Sequence, residues 1–198
     1  MPHVWDAVED FRRQHPTGNS IPVDVFSIVE LELRMDVVPF DDLSTKFQIE
    51  AAISQDFTAL YVDAEAYVVW EKGPLWKQNR LRFSVAHEVG HFVLHRDAMT
   101  KIKFKSPEDF ARHFNADDGS RFQVEQEANE FAGRFLVPID RLTAFYDAFV
   151  AQIRTILPTW HSSDEIRQKF AESAAPKFGV SPQVILARLD REGLWPTP

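Results

Sequence analysis

The sequence predicts an α+β fold: a small mixed or antiparallel sheet packed on one long helix, with further helices filling the C-terminal third. Three observations carry this. "MDVVPF" and residues 58–70 are rich in the Val, Tyr and Trp that suit a pleated, half-buried surface. Residues 79–95 and 122–136 repeat apolar side chains at helical spacing, and the chain from residue 139 onward is helical in pattern. With 198 residues, 44% of them hydrophobic, and 17 Phe, the chain can bury a core of its own.

In chain order, residues 22–34 place Val25, Ile28, Val29 and Leu31 at helical spacing, with Pro22 and Asp24 as entry signals. "MDVVPF" then reads as a strand. "TALYVDAEAYVVW" reads as one or two more, the last pair turning as a hairpin near residues 63–65 and bounded by Gly73-Pro74. The long helix is expected from an N-cap at Asn79 to His95, tolerating Gly90 at about 1 kcal/mol. A charged connection follows, with a turn at Asp117, Asp118 and Gly119, and then a helix over residues 122–136 stopped by Pro138. The last helices are expected at 139–156, at 163–175 behind a capping box of Ser162 and Glu165, and at 182–192 between Ser181-Pro182 and Gly193. A boundary near Pro158 would divide a domain of residues 1–157 from a helical extension, residues 158–198, that packs on it or continues it.

Charge and composition narrow the function. Lys plus Arg number 22 against 30 Asp plus Glu, a net charge of -8, which disfavours direct nucleic-acid binding. The absence of cysteine excludes a disulfide framework and Cys-ligated zinc, so a metal would have to use His, Asp or Glu. The N-terminus lacks the basic start and apolar run of a signal peptide, and no run of about 18 apolar residues offers a membrane span. A cytoplasmic protein is the expectation.

The chemistry concentrates in "RFSVAHEVGHFVLH". On a wheel of about 100° per residue, Ser84, His87, Glu88, His91 and His95 share one sector, while Leu81, Phe83, Val85, Ala86, Val89, Phe92, Val93 and Leu94 fill the others. His87 and His91, four residues apart, project from one face and can reach a single ion, and Glu88 stands beside them as a general base. Two core histidines satisfied by backbone carbonyls are the bland alternative. It is the weaker one, because three titratable groups in one buried stripe are costly unless a charge balances them. His95 lies a further turn along, which suits an outer-shell or helix-end role better than ligation.

A catalytic zinc of this kind takes a third protein ligand from elsewhere and keeps a position open for water. The helix "RFQVEQEANEFAGRFL" has three acids: Glu130 points away from the face set by Val124, Ala128, Phe131, Ala132 and Phe135, while Glu125 and Glu127 flank that face. Glu125 is preferred, with Asn129 one turn later as an outer-shell partner, and Glu127 is the runner-up.

Together, "RLRFSVAHEVGHFVLH", "EQEANEFAGRFLVP" and "FGVSPQVILARL" resemble the ImmA/IrrE family of metallopeptidases. "PVDVFSIVE" and "LYVD" stand where that family has a helix and a strand, so the likeness spans most of residues 20–193. The resemblance implies a zincin-like, gluzincin-like domain with a thermolysin-like site: His87, His91 and a glutamate of the "EQEAN" helix on Zn2+, with Mn2+ as an alternative. It also implies an endopeptidase that acts in transcription regulation by cleaving a helix-turn-helix repressor. Two other classes compete. Residues 163–193, two helices around "PKFGVS", have the outline of a DNA-binding helix-turn-helix, and a non-catalytic metal site would suit a partner-binding regulator.

Overall fold

The computed structural model describes residues 1–70, 72–99 and 119–196. Helix α1 (Pro2–Gln14) buries Val4, Val8 and Phe11. Helix α2 (Val25–Ser27) is capped by the Asp24 side chain and runs directly into a π-helical turn, Ile28–Glu32. Strand β1 (Asp36–Phe40), helix α3 (Leu43–Phe47), strand β2 (Ala51–Ile53), strand β3 (Ala59–Asp63) and helix α4 (Ala64–Val68) follow.

The sheet is mixed, in the order β1-β3-β2, with β1 parallel and β2 antiparallel to the central β3. Two expectations fail here. Residues 64–68 form a helix where a hairpin strand was expected, because the Asp63 carboxylate accepts from the Ala66 N–H and nucleates a helical turn. β2 was not anticipated; its three residues are all buried and show no alternation of apolar and polar side chains.

Helix α5 (Leu75–Leu94) starts four residues before the expected N-cap, behind Pro74. Asn79 lies inside it and donates instead to the Val180 carbonyl at 3.0 Å. A short helix α6 (Arg96–Met99) follows; the rest of the charged connection, with Asp117 and Asp118, lies outside the described residues. Helix α7 (Gly119–Leu136) begins at Gly119, where a turn was expected, and packs along α5. The C-terminal helices α8 (Ile139–Ile156), α9 (Asp164–Phe178) and α10 (Pro182–Glu192) fall close to their expected spans. The α9 cap is Ser163 rather than Ser162, its hydroxyl accepting from the Ile166 N–H at 3.3 Å.

One apolar cluster joins these layers: Val4 and Val8 of α1, Leu60 and Val62 of β3, Val85 and Val89 of α5, Phe131 and Phe135 of α7, and Phe170, Ile185 and Leu189 of α9 and α10. The turn between α9 and α10 requires glycine. Gly179 has φ +63, and a Cβ there would collide with the Arg82 guanidinium, which donates to the Gly179 carbonyl at 2.8 Å. No helix among the described residues is long and apolar enough to cross a membrane.

Candidate metal centre

Helix α5 runs between β2 on one side and α7 on another, so its polar stripe faces inward. Glu88, His91 and His95 are buried, and His87 is nearly so. The stripe stays close to α7 because Gly90 has no side chain: a Cβ there would stand 3.1 Å from Phe131 Cβ and 3.2 Å from Ala128 Cα.

The Nε2 atoms of His87 and His91 are 2.9 Å apart. Glu125 Oε2 lies 3.2 Å from His87 Nε2, and Glu125 Oε1 lies 3.7 Å from His91 Nε2. Ligands at about 2.0–2.1 Å around a tetrahedral zinc ion stand about 3.3 Å from one another, and these three separations bracket that value. Among the described residues, His87, His91 and Glu125 are the group whose donor atoms converge closely enough to hold an ion. Glu127 turns away to His95, and Glu130 does not face the stripe.

The remaining ring nitrogens are engaged in a way that leaves both Nε2 lone pairs free for a metal. His87 Nδ1 is 3.1 Å from Asn129 Oδ1, and His91 Nδ1 is 3.1 Å from His95 Nδ1. This donor set fits zinc: two imidazoles and a carboxylate on one side, with outer partners that set the tautomers.

The same contacts set the electrostatics of the site. Burial would lower the His87 pKa, but the hydrogen bond to Glu125 and the charges of Glu88 and Glu125 raise it above the ordinary histidine value. Burial would raise Glu125, yet its hydrogen bonds with His87 and His91 hold it well below the usual carboxylate range. For His95, burial prevails over its hydrogen bond to Glu127 and lowers the pKa. Burial works against ionised Glu127 too, but hydrogen bonds from His95 and Gln123 outweigh it and lower its pKa.

Glu88 lies against the sheet. Its Oε2 accepts from the Ile53 N–H at 2.9 Å. Along β2 the Ser54 N–H reaches the Ala59 carbonyl and the Asp63 N–H the Glu50 carbonyl, so by antiparallel alternation the polar groups of Ala51 and Ile53 point to the free edge. Glu88 therefore sits on the edge of β2. Residues 59–63 offer no such edge, because β3 is the central strand, and residues 64–68 are helical. Nothing in a side chain announces an edge N–H, so Ile53 had no signal in the sequence. Among the tyrosines, Tyr67 packs on Phe26, Tyr146 packs among Trp160, Phe170 and Trp195, and Tyr61 packs on Phe40.

A convergent His-His-Glu triad with a second glutamate beside it, on a helix backed by a strand edge, equips the chain for metal-assisted hydrolysis. The Peptidase M78 family model, described as an IrrE N-terminal-like domain, matches residues 74–190. No curated protein matches the chain.

Proposed function

From the premise that the chain belongs to the IrrE N-terminal-like metallopeptidase family, we propose that it is a zinc-dependent endopeptidase whose substrate is a helix-turn-helix repressor. The observation that carries this reading is the convergence of the His87, His91 and Glu125 donor atoms beside Glu88. His87, His91 and Glu125 would hold the ion, Zn2+ or alternatively Mn2+. When bound, it supplies Lewis acidity that acidifies water and polarises a carbonyl.

Glu88 takes a proton from the attacking water and returns it to the leaving amine. Its hydrogen bond from the Ile53 N–H holds the carboxylate at the edge of β2. An extended substrate pairing with the Ala51 backbone and the Ile53 carbonyl, the Ile53 N–H being held by Glu88, would pass directly over it. The net charge of -8 suits a basic partner such as a DNA-binding repressor, and the family resemblance supports that substrate class. The lack of cysteine suits the cytoplasm.

The competing classes are less well supported. Arg188 and Arg191, the basic residues of the helix that would read DNA, are engaged internally, Arg188 with Glu192 at 2.6 Å and Arg191 with Glu130 at 2.8 Å. A purely structural metal site would have no use for a buried carboxylate next to its ligands.

The test is co-incubation of the protein with any helix-turn-helix repressor found encoded beside its gene, in the presence of zinc or manganese. Glu88→Gln is expected to retain stoichiometric metal and to lose cleavage by about 10²–10⁴-fold. His87→Ala is expected to lose the metal, read by elemental analysis. Undiminished cleavage by Glu88→Gln would sink the general-base assignment.

A further inference from the structure

His95 has no part in the chemistry just described, yet it is buried and both of its ring nitrogens meet polar partners. Its Nδ1 is 3.1 Å from His91 Nδ1 and its Nε2 is 3.0 Å from Glu127 Oε2. Glu127 in turn accepts from Gln123 Nε2 at 3.0 Å, and its Oε1 is 3.2 Å from His3 Nε2 on α1.

The protons in this row are fixed by elimination. A neutral imidazole carries one N–H. For His91 to offer its Nε2 lone pair to an ion, its proton must sit on Nδ1, where the facing group is His95 Nδ1. That nitrogen can accept only if the His95 proton sits on Nε2, where Glu127 accepts it. Moving the His95 proton to Nδ1 would set two N–H groups against each other in a buried place and leave Glu127 Oε2 without its donor. One arrangement therefore satisfies every atom from Glu127 to His91.

We infer that His95 and Glu127 are positioning residues of the metal centre, forming a relay that holds His91 in the Nδ1–H form with its Nε2 lone pair directed at the ion. The relay rests on the metal reading given above but not on proteolysis. It also ties the site to the N-terminal helix, because His3 and Gln123 hold the far carboxylate. The two imidazole ligands are thus supported by separate arms, His87 by Asn129 on α7 and His91 by a histidine of its own helix backed by a carboxylate.

The experiment measures zinc affinity of the full chain by competition with a chromophoric chelator, without reading peptide cleavage. His95→Ala and Glu127→Ala are each expected to weaken zinc by about 10–100-fold. The double variant should bind no more weakly than the weaker single variant, because both changes break one relay. His95→Asn, whose Oδ1 takes the place of Nδ1 as an acceptor, should recover most of the loss. In the zinc-loaded wild type the His91 Nδ1–H should give a slowly exchanging proton resonance, which His95→Ala abolishes; a merely space-filling His95 would leave that signal in place. Should the alanine variants fail to fold, Glu127→Gln reads the same relay at constant volume, with a several-fold loss of affinity supporting it. Unchanged affinity in the folded variants, alongside loss of zinc in His87→Ala, overturns the relay alone. Retention of zinc by His87→Ala overturns the metal reading and the relay with it.

Discussion

Asn129 shows how much a single outer residue is asked to do. It is exposed, and its Oδ1 is 3.1 Å from His87 Nδ1, so it is the acceptor that keeps the His87 proton away from the donor face. Asn129→Ala is expected to weaken zinc about 10-fold, while Asn129→Asp, which keeps an acceptor at the same place, should not; chelator competition separates the two. At this scale much of the site was legible. His87, Glu88 and His91 announce themselves because helical spacing alone brings them to one face. The choice between Glu125 and Glu127 was only partly legible: Asn129 one turn later favoured Glu125, but both flank the apolar face of α7, and the approach of α5 determines which carboxylate meets the imidazoles. His3 and the Ile53 N–H lay beyond sequence reasoning altogether, because one is brought in by packing and the other is backbone.

Between elements, the contact of α5 with α7 sets the geometry of the centre, and Gly90 is its narrowest point. Read from sequence, Gly90 is a weak spot in a helix, yet its missing Cβ is what lets the Ala128 backbone approach. Gly90→Val would have to push the helices apart. It is expected to cost about 1–3 kcal/mol in unfolding free energy, measured by denaturant titration, and to weaken zinc without touching a ligand. An unchanged midpoint would show that the interface yields freely. The helical spans were legible wherever terminal signals and apolar spacing agreed, as in α10 between Ser181-Pro182 and Gly193. They were misread where a strong local signal competed, since the β-branched run after Asp63 looked like a strand until the Asp63 cap turned it into helix. Glu130, on the side of α7 away from its apolar face, is nevertheless buried, covered by Trp5 of α1 and Arg191 of α10, neither of which the periodicity of α7 can reveal.

Across the whole molecule, the core is built without the metal, since its largest buried side chains, among them Phe131, Phe135 and Phe170, lie in an apolar cluster that spans every layer. Chelation should therefore leave the far-UV circular dichroism intact at 25 °C. Zinc at about 100 times its dissociation constant should raise the unfolding midpoint by roughly 5–10 °C over the metal-free protein. The boundary near Pro158 can be tested on the same grounds. Residues beyond it supply Phe170, Phe178, Ile185 and Leu189 to the common core, each contributing about 1.5–3 kcal/mol on burial. Together these approach the net stability of about 5–15 kcal/mol typical of a whole domain. They also supply Arg191, which with Arg134 balances the buried carboxylate of Glu130, so its removal strips an ion pair from a buried charge. A chain ending at residue 157 is accordingly expected to be unfolded, with no cooperative thermal transition and no stoichiometric zinc, whereas the full chain unfolds in one transition. A truncated protein that melts cooperatively and binds zinc would make residues 158–198 an appendage on a self-sufficient catalytic core.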